Sequence, residues 1–208
     1  MPRTVDHQER RAVIADALVR VAGRGGLHAV SMRAVAAEAG VSLRLVQYYF
    51  NDKSELMHAA LLQLERQSAE RLAGRLARLP SPPPARAYIE AFLAEALPTD
   101  ARSREFHFVW TSYAVLAMGD AALAEQPFVA GPDRQERQLA GVLRRARTDG
   151  ELAVGADPAA EAARLLTLSH GLGTSVLVGQ RTAAAAEEVL RYHLDRLFTV
   201  PGPAPAPE

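Results

Sequence analysis

The feature that most constrains the fold is a helical repeat of apolar residues that recurs along most of the chain. In the first segment the apolar side chains are spaced three or four residues apart, at Ile14, Leu18, Val21 and Ala22. This spacing places them on one face of a helix. No window shows the two-residue alternation of a half-buried strand, so the sequence predicts an all-α fold without a sheet.

Glycine and proline divide this repeat into about nine helices. We expect the first helix to end at the glycines between positions 23 and 26, two short helices to flank Gly40, and a long helix to begin at Ser54. The proline run at 80–84 cannot be helical throughout, because proline lacks an amide donor and disfavours helix in the residue before it. Further helices are expected near 84–97, 101–118, 132–148, 158–179 and 183–198.

The two short helices around Gly40 have the arrangement of a helix-turn-helix, in which a glycine turn joins them. Ser31 and Ser42 stand where the two helices need N-caps. In such a pair the second helix enters the major groove of DNA with its N-terminal end first, and the first helix lies across the backbone. The pattern therefore indicates DNA binding within the first ~55 residues.

Charge and composition set weaker limits. The chain has 24 basic and 24 acidic side chains, and residues 1–56 carry a net charge of +2, which has the sign expected for DNA binding but is small. The absence of cysteine excludes disulfides, thiolate metal sites and cysteine catalysis. No segment has the apolar length of a signal peptide or a membrane span, so we expect a cytoplasmic protein without membrane contact.

Three segments resemble the tetracycline-repressor-like (TetR) family of bacterial regulators: residues 31–42 (SMRAVAAEAGVS), 48–50 (YYF) and 52–56 (DKSEL). The family pattern has Thr or Ser, a hydrophobic residue, an Ile/Val-Ala pair and Ala-Gly-Val-Ser, followed by Tyr-x-Phe and Lys-x-Glu-Leu. The resemblance is close over residues 9–56, and beyond them it covers helical layout and length. It implies a helix-turn-helix domain at 1–52, a helical ligand-sensing and dimerisation domain at 53–200, and function as a ligand-responsive repressor. The proline-rich tail at 201–208 is expected to be disordered.

Three residues of the predicted recognition helix are candidates for contacting bases, and the serine before it is a candidate for contacting a phosphate. Arg44 and Gln47 lie on its exposed face, and arginine and glutamine make bidentate contacts to guanine and adenine. Leu43 can meet a thymine methyl group, and the amides that follow Ser42 can hold a phosphate. Family members often have a small residue or proline at Arg44 and tyrosine at Gln47, so a different operator is implied, and Arg44 contacting only phosphate stays open.

The remaining predicted DNA contacts are to the backbone or to a base edge. Ser31 caps the first helix of the pair and can reach a phosphate, and Arg33 can meet either a phosphate or a guanine edge. The resemblance implies that Lys53, which is the only lysine, clamps a phosphate. It also implies that one of Tyr48 and Tyr49 packs inward while the other contacts a phosphate; we favour Tyr49 for the phosphate.

The C-terminal segment carries large amphipathic side chains at helical spacing. They can form a packed core, but the resemblance implies a mostly apolar cavity with a few polar groups, for an apolar or aromatic effector or a cation held by aromatic faces. The predicted ligand-binding residues are Phe92, Phe106, His107, Trp110, Tyr113, Met118 and His170.

The last two predicted helices repeat apolar and small residues on one face. Two such helices from each of two chains would close a four-helix interface with two-fold symmetry, and a dimer would suit a palindromic operator. The predicted dimerisation residues are Leu165, Leu168, Ser169, Leu172, Gly173, Val176, Leu190, Leu194 and Leu197.

Other classes of function are less well supported. The six histidines include no pair three or four residues apart, and no nucleophile elbow or phosphate-binding loop is present, so we expect neither an enzyme nor a metal or other cofactor. A helix-turn-helix protein without a small-molecule ligand, and an activator in place of a repressor, stay open.

Overall fold

The computed structural model describes residues 3–119 and 130–199, with side chains from residue 7 onward. Within these residues it contains nine α-helices, a short 3-10 helix at Leu27–Ala29 and no strand. One isolated antiparallel bridge pairs Leu152 with Phe198. The predicted all-α fold is therefore confirmed, while the predicted disordered tail at 201–208 lies outside the described residues.

The helix bounds agree with the predicted segments to within a few residues. α4 begins at Lys53, one residue before the expected start, and the helix expected from residue 132 begins at Ala130. The helices are α1 (Arg3–Gly25), α2 (Met32–Ala39), α3 (Leu43–Tyr49), α4 (Lys53–Leu76), α5 (Ala85–Glu95), α6 (Ala101–Ala117), α7 (Ala130–Thr148), α8 (Pro158–Leu177) and α9 (Ala183–Leu197).

Local side chains define the ends of α2 and α3. The Ser31 hydroxyl accepts a hydrogen bond from the Ala34 amide at 3.1 Å, and the Ser42 hydroxyl accepts one from the Leu45 amide at 3.2 Å. Gly40 ends α2 in the left-handed conformation, with φ 65° and ψ 32°, where a residue with a Cβ atom would be strained. Both predicted caps and the predicted glycine turn are confirmed.

The chain divides into two compact units, each made from separate segments. The first unit comprises the described residues within Met1–Glu70 and Asp100–Phe128, so it contains α6 in addition to the helix-turn-helix segment. The second comprises the described residues within Arg71–Thr99 and Val129–Glu208.

The core of the first unit joins α1, α2, α3, α4 and α6. Its fully buried large side chains include Ile14, Leu18, Phe50, Leu56 and Tyr113. Because Phe50 lies directly after α3 and is 0% exposed, it anchors the end of that helix in the core. The apolar stripe predicted for α1 is thus the face that packs inward.

The core of the second unit joins α5, α7, α8 and α9 around leucines such as Leu139, Leu143 and Leu165. Two buried polar groups in this unit, the Tyr88 hydroxyl and the Glu95 carboxylate, have partners. The Gln138 side-chain amide donates to the Tyr88 hydroxyl, and the buried Glu95 carboxylate accepts from Arg71 at 2.6 Å. Pairing of this kind removes most of the cost of burying such groups.

The part of the chain that the structure describes contains neither a membrane-spanning helix nor a metal-binding cluster. None of its helices has both the length and the apolar character needed to cross a bilayer. It also contains no cluster of three or more histidine, aspartate or glutamate side chains that could hold a metal ion.

Candidate DNA interface and sensing residues

The exposed face of α3 carries the predicted base readers. Arg44, Gln47 and Tyr48 are exposed, whereas Val46 is 0% exposed and packs into the core of the first unit. Positions 44, 47 and 48 share one helix face because they are three and four residues apart. α3 is therefore held by its inner face and presents polar side chains outward.

The residues predicted to contact the DNA backbone lie before and after α3 along the chain. Ser31, Arg33 and Ser42 are exposed at the N-terminal ends of α2 and α3, and Lys53 is half-buried at the first position of α4. The Asp52 carboxylate accepts from the Glu55 amide at 2.8 Å. The Glu55 amide is therefore occupied, and the Lys53 ammonium stays a predicted phosphate contact at this helix end.

The two tyrosines at the end of α3 differ in accessibility. Tyr48 is 71% exposed, whereas Tyr49 is half-buried. Their rings meet edge to face with centroids 5.2 Å apart, so both lie at the same corner of the unit. Exposure favours Tyr48 as the freer phosphate contact, in contrast to our sequence-based preference for Tyr49.

Arg11 organises the junction between α3 and α4, a role that the sequence patterns did not reveal. Its guanidinium donates to the Tyr49 carbonyl oxygen, pairs with Glu55 at 3.1 Å and lies over the Phe50 ring at 4.3 Å from the centroid. Glu55 in turn accepts from the backbone amide and the side-chain amide of Asn51, both at 3.0 Å. One arginine of α1 thus ties the end of α3 to the start of α4.

These contacts change the acidity of Glu55. The Asn51 backbone amide, followed by Arg11, stabilises the carboxylate and holds the pKa of Glu55 below its usual range. A second carboxylate behaves similarly: Glu38 of α2 pairs with Arg24 and, at 2.7 Å, with Arg20 of α1. The hydrogen bond from Arg24, then that from Arg20, lowers the pKa of Glu38.

Five of the predicted ligand-binding residues lie on or directly after α6, in the first unit. Tyr113 and His107 are buried, at 0% and 4% exposed, and Phe106 and Trp110 are half-buried. Met118, directly after the helix, is 80% exposed. So exposed a side chain does not fit the enclosed ligand site that was predicted for Met118.

The other two predicted ligand-binding residues lie in the second unit. Phe92 is buried in its core, and His170 on α8 is half-buried. Burial lowers the pKa of His170, because the charged imidazolium loses hydration. Neither residue lines the groove of about 350 Å³ between α5 and α9, which is lined by Glu90, Leu93, Ala94, Leu97, Glu187, Leu190, Arg191 and Leu194.

The predicted dimerisation face needs correction. Leu168 is partly buried against the core of the second unit, and the other eight residues are buried within the single chain. A side chain already buried by its own chain has little surface left for a partner. The buried residues are Leu165, Ser169, Leu172, Gly173, Val176, Leu190, Leu194 and Leu197.

The helical repeat identified these residues because core packing and a dimer interface require the same apolar spacing. The opposite face of α8 is exposed at intervals of three and four residues, and it bears Ala160, Arg164, Thr167, Gly171 and Thr174. Val178, just after α8, and Tyr192 of α9 are large apolar side chains that are 71% and 58% exposed.

Family models match both parts of the chain. The model described as bacterial regulatory proteins of the tetR family matches residues 14–60, and the model described as the C-terminal part of BetI-type transcriptional repressors matches residues 85–199. The second match alone spans more than half of the chain, and the first contains α2, α3 and Lys53. The chain belongs to the TetR family. The predicted resemblance is confirmed, and it extends into the helices after residue 84.

Curated relatives share segments of the sequence. The HTH-type transcriptional regulator PksA of Bacillus subtilis is 32% identical over 117 residues, which cover 55% of this chain and 56% of PksA. The HTH-type transcriptional regulator BetI of Vibrio parahaemolyticus is 32% identical over 81 residues, which cover 39% of this chain and 41% of BetI. The chain thus spans about half the length of the curated relatives it matches.

Solved structures share the fold over nearly the whole chain. A transcriptional regulator from Saccharomonospora viridis, crystallised in complex with choline, superposes with a TM-score of 0.81. The superposition covers 93% of this chain and 100% of the other at 23% identity. At that identity the likeness concerns the fold alone.

Proposed function

We propose that this TetR-family chain is a transcriptional repressor that binds a palindromic operator as a homodimer and is released from it by a small molecule. The DNA-binding part of this proposal rests on α3. Its inner face is anchored by Val46 and Phe50, while Arg44 and Gln47 project from its outer face. A helix that is fixed on one side and polar on the other can enter a major groove and read base edges.

The proposed contacts to the DNA backbone supply binding affinity that does not depend on the DNA sequence. Arg33 and Lys53 carry the positive charges, and Ser31, Ser42 and one of the two tyrosines supply hydroxyl donors near the ends of α2 and α3. Contacts of this kind orient a protein on the duplex and make its binding depend on salt. Arg44 and Gln47 would then provide the discrimination between sequences.

The proposed effector is an apolar or aromatic compound, or an organic cation held by aromatic faces. On α6 the half-buried Phe106 and Trp110 and the buried His107 and Tyr113 combine aromatic surface with a few polar atoms. Aromatic rings attract cations through their electron-rich faces. The choline complex of the Saccharomonospora viridis regulator supports a cation as the first effector to test. Phe92 and His170 stay predicted ligand contacts in the second unit.

The response to an effector is proposed to pass through α4. The first turn of this helix is tied to α1 and to the end of α3 by Arg11 and Glu55. In the second unit, its last turns are tied to α5 by Arg71 and Arg75, which pair with Glu95 at 2.6 and 3.5 Å. A change in the tilt of α4 would therefore move α3, and an effector that favours the tilted state by a few kcal/mol would shift the equilibrium.

The proposed homodimer uses the outward faces of α8 and α9. The outward face of α8 bears small side chains at Thr167, Gly171 and Thr174, which permit close approach of a helix, and the exposed Val178 and Tyr192 add apolar surface. A two-fold interface of this kind would present two recognition helices to two half-sites.

Selection of duplexes from random DNA by the full chain tests the DNA-binding part. The proposal predicts enrichment of a palindrome whose half-sites lie about one helical turn apart (~34 Å), or a multiple of it. Enrichment of a single asymmetric site would contradict the dimer, and recovery of no preferred sequence would contradict sequence-specific binding.

The effector part is tested with the selected duplex and choline. A ligand that binds the released state should displace the chain from the duplex, and the duplex should weaken choline binding by the same factor. If choline binds with equal affinity in the presence and absence of DNA, the proposed coupling is wrong for this cation. Aromatic amines and uncharged aromatic compounds then form the next set of probes.

A further inference from the structure

His7 lies in a three-ring cluster at the edge of the first unit. The residue is exposed on α1, and its imidazole packs edge to face against Tyr49, with ring centroids 4.6 Å apart. It also approaches Tyr48 at 6.2 Å between centroids. The cluster therefore joins a residue from the start of α1 to both tyrosines at the end of the recognition helix α3.

The position of His7 is defined by its helix. Arg11 follows four residues later on the same face of α1 and is held by the Tyr49 carbonyl oxygen and by Glu55. These contacts fix this part of α1 against the end of α3. The imidazole is thus placed by a well-anchored helix.

The three-ring cluster lies next to the exposed face of α3 that carries the predicted base-reading residues. Tyr48 is one turn after Arg44 and next to Gln47, and all three side chains are exposed. Because His7 contacts the rings of Tyr48 and Tyr49, it lies on the same side of the unit as the proposed DNA contacts. A duplex seated on α3 would meet its phosphates at this corner.

We propose that His7 is a further DNA contact, whose imidazole N–H donates a hydrogen bond to a backbone phosphate beside the one contacted by one of the two tyrosines. This inference rests on the DNA-binding part of the proposed function. A neutral imidazole has one N–H donor and the protonated form has two, and phosphate oxygens accept such bonds. His7 lies outside the TetR family match, which covers residues 14–60.

Packing against the tyrosines lowers the entropy cost of the proposed contact between His7 and a phosphate. A side chain that is already held in position loses little conformational freedom on binding. The alternative role of His7 is to position the tyrosine rings without touching DNA. A phenylalanine at this position separates the two roles, because it keeps an aromatic ring and has no N–H donor.

The test uses the full chain and a duplex that the unsubstituted protein recovers from random DNA. The variants are His7→Phe, His7→Ala and His7→Arg, with Gln8→Ala as the matched control on the same exposed turn. We expect His7→Phe and His7→Ala each to weaken binding about three- to tenfold, as for loss of one solvent-accessible hydrogen bond. His7→Arg should keep or strengthen binding, and Gln8→Ala should leave it unchanged.

Phosphate ethylation of the same duplex supplies a second measurement. The contact predicts one phosphate in each half-site whose ethylation weakens binding of the unsubstituted chain and has no further effect on His7→Phe. If His7→Phe binds as tightly as the unsubstituted chain, or if Gln8→Ala is weakened equally, the inference is overturned while the proposed function stands. If the unsubstituted chain prefers no duplex, both fail.

Discussion

Among single residues, Arg11 of α1 makes contacts that join distant parts of the chain. Its guanidinium donates to the Tyr49 carbonyl oxygen and to the Glu55 carboxylate, 38 and 44 positions away. No local pattern distinguishes such an arginine from a solvated one. The capping roles of Ser31 and Ser42, in contrast, follow from the three or four residues after each serine, so the sequence is sufficient to assign them.

Changing Arg11 to alanine is expected to reduce the stability of the fold, whereas changing Arg33 to alanine is expected to weaken DNA binding without reducing stability. Arg11→Ala removes hydrogen bonds to the Tyr49 carbonyl and to Glu55, and should lower the free energy of unfolding by about 1–2 kcal/mol. Arg33 is exposed on α2, so Arg33→Ala should leave that free energy within about 0.5 kcal/mol and weaken DNA binding. Chemical denaturation and DNA titration of both variants test this, and a stability loss for Arg33→Ala would contradict the assignment.

Glu55 predicts a loss of stability in acid. Its pKa is held below the usual value in the folded chain, chiefly by the Asn51 amide, so it binds fewer protons when folded than when unfolded. The stabilisation is therefore complete above the unfolded pKa of about 4.3 and is lost as the pH falls through the folded value. Glu55→Gln should show a flatter decrease in unfolding free energy between pH 5 and pH 3 than the unsubstituted chain, and equal slopes would refute this origin.

At the scale of helices, the repeat of apolar residues predicted where helices form but not what covers them. The leucines of α8 and α9 have the spacing of a dimer face, yet Leu165, Leu190 and Leu194 are buried within their own chain. Periodicity identifies an apolar stripe, and only the packing of α5 and α7 shows that the stripe is already covered. The glycine turn was easier to predict, because a left-handed helix end needs glycine.

Gly40 and Gly74 form a matched pair for testing that turn. Neither has an atom within 4 Å of the Cβ that alanine would add, so contacts do not separate them. Gly40 has φ 65°, whereas Gly74 lies in helix α4. Gly40→Ala should lower the free energy of unfolding by about 1 kcal/mol, and Gly74→Ala should raise it by about 0.5–1 kcal/mol. Thermal or chemical unfolding measures both, and equal signs would contradict the explanation.

For the molecule as a whole, the proposed homodimer requires an interface on the surface that the single chain leaves exposed. Thr167→Arg places a charged side chain in the middle of the outward face of α8 and should convert the proposed homodimer to monomers at micromolar concentration. Ala73→Arg, on an exposed position of α4, is the control and should leave the dimer intact. Leu194→Ala should instead lower the free energy of unfolding by about 2–5 kcal/mol, because it opens a cavity in the core.

Light scattering combined with size-exclusion chromatography gives the mass of each of these variants. A dimer that survives Thr167→Arg would place the interface elsewhere. If Leu194→Ala instead loses the dimer while its free energy of unfolding is unchanged, the leucines form the dimer interface, as the sequence predicted.

We expect α3 to read DNA sequence through Arg44, and Lys53 to contact only the DNA backbone. The most direct test is the affinity of the unsubstituted chain, Arg44→Ala and Lys53→Ala for the selected duplex and for a scrambled duplex, each across a salt series. Arg44→Ala should lose about ten- to hundredfold of the preference for the selected duplex. Lys53→Ala should weaken both complexes alike and reduce the salt dependence by about one counterion. An unchanged preference in Arg44→Ala would show that α3 does not read the operator through this residue.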